Sequence, residues 1–297
     1  MALENMSDSE ELFVGVDGGG TKCRACVYTS DLELLGSGLG GPSNPFHGEA
    51  QAQASIVEAI EMALVDAKLP VSTIANLIVG AGLAGVNVPA VFESMNAWQH
   101  PFKKFYLTTD LHVACLGAHD SDEGAVIVSG TGSCGYSYVN GTAIMIGGHG
   151  FLLGDKGSGA WLGLESVKAV LLAQDNLGPQ TLLNKLISDY LNATGIMIVE
   201  KMSAAKSSDY AQLARFVFEA AHHGDDVATT ILREGAVYID ALADRLWETN
   251  PGRMSIIGGL AEYLTPWLKP GVVTKLSPAI NPPEFGAVYF ARQQRLI

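Results

Sequence analysis

Short apolar runs broken by glycine turns open the chain. Leu12, Val14 and Val16 alternate with their neighbours and the run ends at Asp17; residues 22–29 and 33–39 repeat that period of two. Three strands are therefore predicted around the turn Gly18-Gly19-Gly20-Thr21-Lys22. Residues 40–45 (GGPSNP) are dense in turn formers and read as a loop. From 48 to 68 the period changes to that of a helix, with Ile56, Ile60, Ala63 and Leu64 on one stripe. A strand over 74–81 running into Gly82 and Gly85, a helix over 89–98, a strand over 105–108 and a helix over 111–118 opening directly after Asp110 complete an order βββαβαβα.

The same layout then begins again. Residues 125–129 are apolar and β-branched, Gly130-Thr131-Gly132-Ser133 is a second glycine turn, and strands are predicted over 134–139 and 142–146 around the hairpin signal Asn140-Gly141. Set side by side, VGVD-GGG-T-K and VIVS-GTG-S-C form an internal repeat of layout. A Gly-rich loop over 147–159 follows, then helices near 158–174, 181–191, 209–222 and 226–248, and a strand over 254–257 that meets Gly258-Gly259 and a further helix. The chain is predicted to end in a helix from Pro283 that packs on the body of the protein.

Composition narrows the class. A length of 297 residues fits two domains, and a hydrophobic fraction of 48% fills two cores. No apolar run approaches the roughly 20 residues of a spanning helix, and residues 1–11 lack the features of a signal peptide. The net charge of −13 argues against nucleic acid and against an anionic membrane as partners. Cys23 and Cys26 have CxxC spacing but share a predicted strand whose side chains alternate faces, so two separately packed thiols outweigh a zinc or redox site. A reduced, cytoplasmic protein is expected.

Two glycine turns carry the candidate chemistry. Gly130 to Gly135 matches GxGxxG, but a hairpin follows it where a dinucleotide fold needs a helix, and nothing matches GxxxxGK[ST]. What remains is a pair of hairpin tips offering N–H and hydroxyl donors to phosphate. Asp17 reads either as a metal carboxylate or as a turn aspartate bonding its own backbone. Asp110 reads equally as a helix N-cap or as a general base at a strand end. Asn44 alone reads first as a turn residue.

The set VDGGGTK, TTD at 108–110, SGTGS at 129–133, GGHG at 147–150 and GDKGSGAW at 154–161 resembles the BadF/BadG/BcrA/BcrD-type ATPases of the actin, hexokinase and heat-shock ATPase-like superfamily, and within it the N-acetylglucosamine and glucosamine kinases. The resemblance spans residues 12 to about 260. It implies an α/β protein of two ribonuclease H-like (actin/hexokinase-type) lobes, each βββαβαβα-like, with a cleft between them that closes over the sugar. The lobes would be residues 12–120, binding phosphate and sugar, with a helix over 283–297 packing back on it, and residues 121–282, binding nucleotide.

The resemblance also implies an ATP-dependent kinase that makes the 6-phosphate of an amino sugar, with Mg²⁺ as cofactor and Asp110 as base. Asp17 would serve the metal, and Gly18, Gly19, Gly20, Thr21, Lys22 and Thr131 the phosphates. Ala221, Gly258 and Gly259 would lie at the adenosine. Asn44, Asp110, Ser133, Gly148, His149, Gly150 and Asp155 would line the sugar, although animal kinases carry an aromatic where His149 stands. Both N-acetylglucosamine and free glucosamine fit; CLGAH, GTGSCG and VLLAQD most resemble the bacterial glucosamine kinases. The reading admits a homodimer. An alternative within the family is the ATPase activator of a radical dehydratase, for which Cys115 and Cys134 would have to help hold an iron–sulfur cluster; a non-enzymatic sugar sensor would have no use for Asp110.

Overall fold

β1 (Phe13–Gly18), β2 (Cys23–Tyr28) and β3 (Leu34–Gly40) form an antiparallel meander, and β4 (Ile78–Leu83) and β5 (Lys104–Thr109) add to β1 in parallel, giving the sheet order β3-β2-β1-β4-β5. The protein is described here by a computed structural model covering residues 11–296. The polar opening, residues 1–10, and residue 297 of the expected C-terminal helix lie outside the described residues. The chain divides into two units, one running to Gly124 and resuming at Ala279, the other spanning Ala125–Pro278.

In the first unit the period-two pattern decides which helix covers which face. Val14, Val16, Ala25 and Val27 pack with Ile56, Ile60, Ala63 and Leu64 of α1 (Glu49–Asp66). Phe13, Cys26, Tyr28 and Ile78 pack on the other face with Val288 and Ala291 of α12 (Pro283–Leu296). Cys23 joins the first cluster and Cys26 the second, so the CxxC thiols face opposite sides. Glycine lets α12 lie against the sheet: a Cβ on Gly15 would stand 1.7 Å from the Glu284 carbonyl oxygen, and one on Gly80 2.0 Å from that of Ala287. α2 (Pro89–Asn96) follows β4, and α3 (Asp110–His119) follows β5. The strand expected over 74–81 starts only at Ile78, because Val71–Asn76 winds into a 3-10 turn with no buried residue.

The second unit carries the sheet order β8-β7-β6-β9, from β6 (Gly124–Ser129), β7 (Ser133–Val139), β8 (Thr142–Gly147) and β9 (Met254–Ile257). Asn140 and Gly141 both adopt positive φ, 51° and 73°, as a tight hairpin between β7 and β8 requires. The fifth strand of the repeat shrinks to one parallel bridge, Met254 to Leu276; Ser277 donates its N–H to Met254, and Pro278 next to it has no donor to extend the ladder. Between β8 and β9 lie α4 (Gly159–Gln174), α5 (Leu182–Leu191), α6 (Ile196–Met202), α7 (Ser207–Ala211), α8 (Ala214–His222) and α9 (Asp226–Trp247); α10 (Ala261–Leu264) and α11 (Pro270–Val273) follow. The helix expected over 209–222 is thus two pieces. α6 presents no apolar stripe in the sequence, because Ile196, Met197 and Val199 are exposed while only Ile198 and Met202 of this helix are buried. Among the described residues no helix is long and apolar enough to cross a membrane.

Candidate active site

In the first unit β1 delivers Asp17 to the C-terminal edge of the sheet. The turn beyond it is closed by the Gly19 N–H on the Lys22 carbonyl, 3.0 Å, and tied down by the Ser43 N–H on the Gly19 carbonyl, 2.9 Å. None of Gly18, Gly19 and Gly20 lies in the left-handed region, so positive φ is not what the three glycines provide. Gly18 is packed, since a Cβ there would stand 2.4 Å from Leu83, whereas Gly20 has no heavy atom within 4 Å and Thr21 and Lys22 are exposed. The tip therefore leaves open space beside exposed donors, which suits approach by an anion.

Asp17 is half-buried, and its carboxyl is pushed up to about 7 by burial first, then by the charges of Glu284 and Asp110, against Lys22 and Arg24. A carboxylate so placed ionises readily once a cation is near, and one carboxylate beside an open turn fits a divalent ion held largely through water and phosphate. The raised value has a consequence for stability. Between about pH 4 and pH 7 the native carboxyl keeps a proton that the unfolded chain has released, so stability falls as pH rises through that window. Asp17→Asn is expected to stabilise the ligand-free protein at pH 8, by at most on the order of 4 kcal/mol for the rise from 3.8 to about 7. The gain should shrink on acidification and vanish below about pH 4, as urea unfolding at several pH values would show. A variant no more stable than the parent at pH 8 would contradict this.

Asp110 is the first residue of α3, but it is not the cap. Thr109 holds that place, its hydroxyl accepting the His112 N–H at 3.2 Å, while Asp110 Oδ1 accepts the neighbouring Leu111 N–H at 2.9 Å. Burial raises its carboxyl above the usual carboxylate range despite that donor. Asn44 does cap: its side chain accepts the Phe46 N–H at 3.0 Å at the start of the 3-10 turn Pro45–His47.

In the second unit the turn after β6 is joined to the start of α4. The N–H groups of Gly159 and Ala160 donate to the carbonyls of Gly130 and Thr131, at 2.8 and 3.2 Å, and Ser158 caps the helix. Thr131 is exposed at the tip, above the positive end of a 16-residue helix. Ser133 is buried, its hydroxyl donating to the Lys156 carbonyl at 2.9 Å. Asp155 is buried in a left-handed conformation, φ 57°, and accepts the Gly150 N–H at 3.3 Å; burial raises its carboxyl. A Cβ on Gly132 would stand 2.7 Å from Asp155 Oδ2, so that glycine makes room for the carboxylate. Gly148 donates to the Ser133 carbonyl, and His149 and Gly150 are exposed beside it. Thr131, Ser133, Gly148, His149, Gly150 and Asp155 thus form one cluster.

Gly258, at φ 102°, passes so close to β6 that a Cβ would stand 2.4 Å from the Ser129 carbonyl oxygen, and the Leu260 N–H bonds that same oxygen at 3.1 Å. Gly259 is open to solvent. Next to this turn lies a pocket of about 360 Å³ lined by Gln212, Arg215, Phe218, Leu260 and Tyr263, which sequence reasoning missed. Phe218 and Tyr263 are 5.6 Å apart, and the Tyr190 hydroxyl donates to Gln212 Oε1 at 2.7 Å. Ala221 packs with Phe218 and Leu260 in the same cluster. A glycine turn thus ends a strand in each unit, and the N-terminus of α4 lies behind the second of these turns.

The chain belongs to the BadF/BadG/BcrA/BcrD ATPase family, whose model matches residues 14–291. It is 35% identical over 283 residues to glucosamine kinase GspK of Vibrio cholerae, covering 94% of this chain and 95% of that one. It is 30% identical over 246 residues to N-acetyl-D-glucosamine kinase of Dictyostelium discoideum, covering 77% and 76%. Among solved structures, a proposed N-acetylglucosamine kinase from Chromobacterium violaceum superposes with a TM-score of 0.89 at 29% identity, over 95% of this chain and 99% of the other. Of the cysteines the activator alternative would need, Cys115 is buried within α3 of the first unit and Cys134 is the second residue of β7 in the second.

Proposed function

We propose that the chain is an ATP-dependent amino-sugar kinase that forms the 6-phosphate of glucosamine or N-acetylglucosamine. The observation that carries this reading is Asp110, a carboxylate with raised proton affinity at the end of β5 whose capping duty Thr109 has taken over. In this reading Asp110 accepts the proton of the sugar 6-hydroxyl as that oxygen attacks the γ-phosphorus; the bond to the bridging oxygen breaks and ADP departs. Asp155 and Ser133 orient sugar hydroxyls, an acceptor-only carboxylate suiting that task. Asn44, with its Oδ1 engaged, contributes its amide N–H to the sugar. Thr131 holds phosphate oxygens, favoured by the positive end of the α4 dipole behind it, as do N–H groups of the Gly18–Lys22 turn. The pocket beside Gly258-Gly259 and Ala221 takes the adenosine. Asp17 would hold Mg²⁺, which when bound would neutralise charge on the phosphates.

The family match and the amino-sugar kinases among the relatives support this substrate class. The relative with the higher identity acts on glucosamine by name, which makes free glucosamine the first acceptor to try. An ADP-release assay with Mg-ATP and glucosamine, N-acetylglucosamine, glucose and N-acetylmannosamine tests the proposal. Turnover with glucosamine or N-acetylglucosamine well above that with glucose is expected. No turnover with any amino sugar would overturn it.

A further inference from the structure

Glu284 is a buried carboxylate that the chemistry above does not use. Its side chain is 7% exposed, it lies in the first turn of α12, and its Oε1 stands 3.2 Å from Nε of Arg24. The β1–β2 register sets Arg24 directly across from Asp17, and both lie on the α12 side of the sheet, the side of Phe13, Cys26 and Tyr28. Arg24 thus has two carboxylates to choose from. A guanidinium on Asp17 would occupy the oxygens that a divalent cation needs.

The backbone fixes which carboxylate wins. Glu284 cannot retreat, because its carbonyl is pressed on Gly15, and the chain leading to α12 is bonded to α3 through the Ile280 and Asn281 N–H groups on Ala118 and Gly117, each at 3.0 Å. Its carboxylate is therefore held where Arg24 meets it.

We propose that Glu284 is a positioning residue for Asp17: by retaining the Arg24 guanidinium it keeps the Asp17 carboxylate free for the cation. This rests on Asp17 serving Mg²⁺. Without Glu284, Arg24 turns to its cross-strand neighbour and competes with the metal.

Calorimetric titration of Mg²⁺ into the full-length protein with saturating ADP tests this without turnover. Glu284→Gln should weaken Mg²⁺ binding roughly tenfold, the scale of one charge-assisted hydrogen bond. The double variant Glu284→Gln/Arg24→Met, with competitor and retainer both removed, should return close to the parent. Should Glu284→Gln not fold, Glu284→Asp, which keeps the charge but falls short of Arg24, should weaken binding several-fold. Unchanged affinity in the single variant, or a double variant as weak as the single, would overturn the proposal. Asp17→Asn separates the two ideas. If it leaves Mg²⁺ affinity unchanged, the metal role of Asp17 fails; if it abolishes the Mg²⁺ response while Glu284→Gln binds Mg²⁺ as tightly as the parent, only the role of Glu284 fails.

Discussion

Asp110→Asn is expected to lower kcat by about 10²–10⁴, the usual effect of removing a general base. Nucleotide affinity should stay close to that of the parent. Asparagine has the shape of aspartate and retains an oxygen for the Leu111 N–H, now accepted by Oδ1 at 2.9 Å, so the first turn of α3 should persist. What asparagine lacks is a basic oxygen able to take a proton. Thr109→Ala supplies the contrast: it removes the hydroxyl that accepts the His112 N–H and should destabilise the protein by about 1 kcal/mol, with turnover largely kept. Single-turnover kinetics and ADP titration separate the two effects. Full turnover in Asp110→Asn, or equal loss of turnover and nucleotide binding, would mean that the carboxylate serves the fold alone.

The alternation of apolar residues made the first sheet legible, since Val14, Val16, Ala25 and Val27 reach their helix as a period of two requires. The two glycine turns were legible for the same reason, each following such a run. Which residue caps α3 was not: Thr109 and Asp110 are both good caps, and only the backbone decides that the threonine hydroxyl reaches His112. That the first turn carries three glycines was legible, but what each glycine does was not. Gly18 is needed for packing on Leu83 rather than for positive φ.

Sequence distance hid the rest. Glu284 and Asp17 stand at opposite ends of the chain, and nothing local in PPEFG announces a carboxylate beside β1. The pocket by Gly258-Gly259 escaped for a related reason, since its lining comes from α8 and α10 and the segments beside them, and its residues read locally as ordinary helix positions. Composition and period describe what a segment buries. They do not say which distant segment arrives to cover it.

Gly15→Ala is expected to destabilise the protein severely. The added Cβ would stand 1.7 Å from the Glu284 carbonyl oxygen and 3.0 Å from Val288 Cγ2. The first of these contacts is with helix backbone, which has no rotamer to change, so α12 must shift away from β1. Overpacking typically destabilises by about 1–3 kcal/mol, and a backbone contact belongs at or above the top of that range. A fall in Tm of roughly 6–12 °C follows for a unit of this size. The shift would also draw Glu284 away from Arg24, so stability and Mg²⁺ binding should suffer together. Gly20→Ala is the control, because no heavy atom lies within 4 Å of its Cβ position. Its Tm should match that of the parent, since surface substitutions usually change stability by less than about 0.5 kcal/mol. A Gly15→Ala protein that melts with the parent would mean that α12 does not lie on β1, and the placement of Glu284 beside Asp17 would go with it.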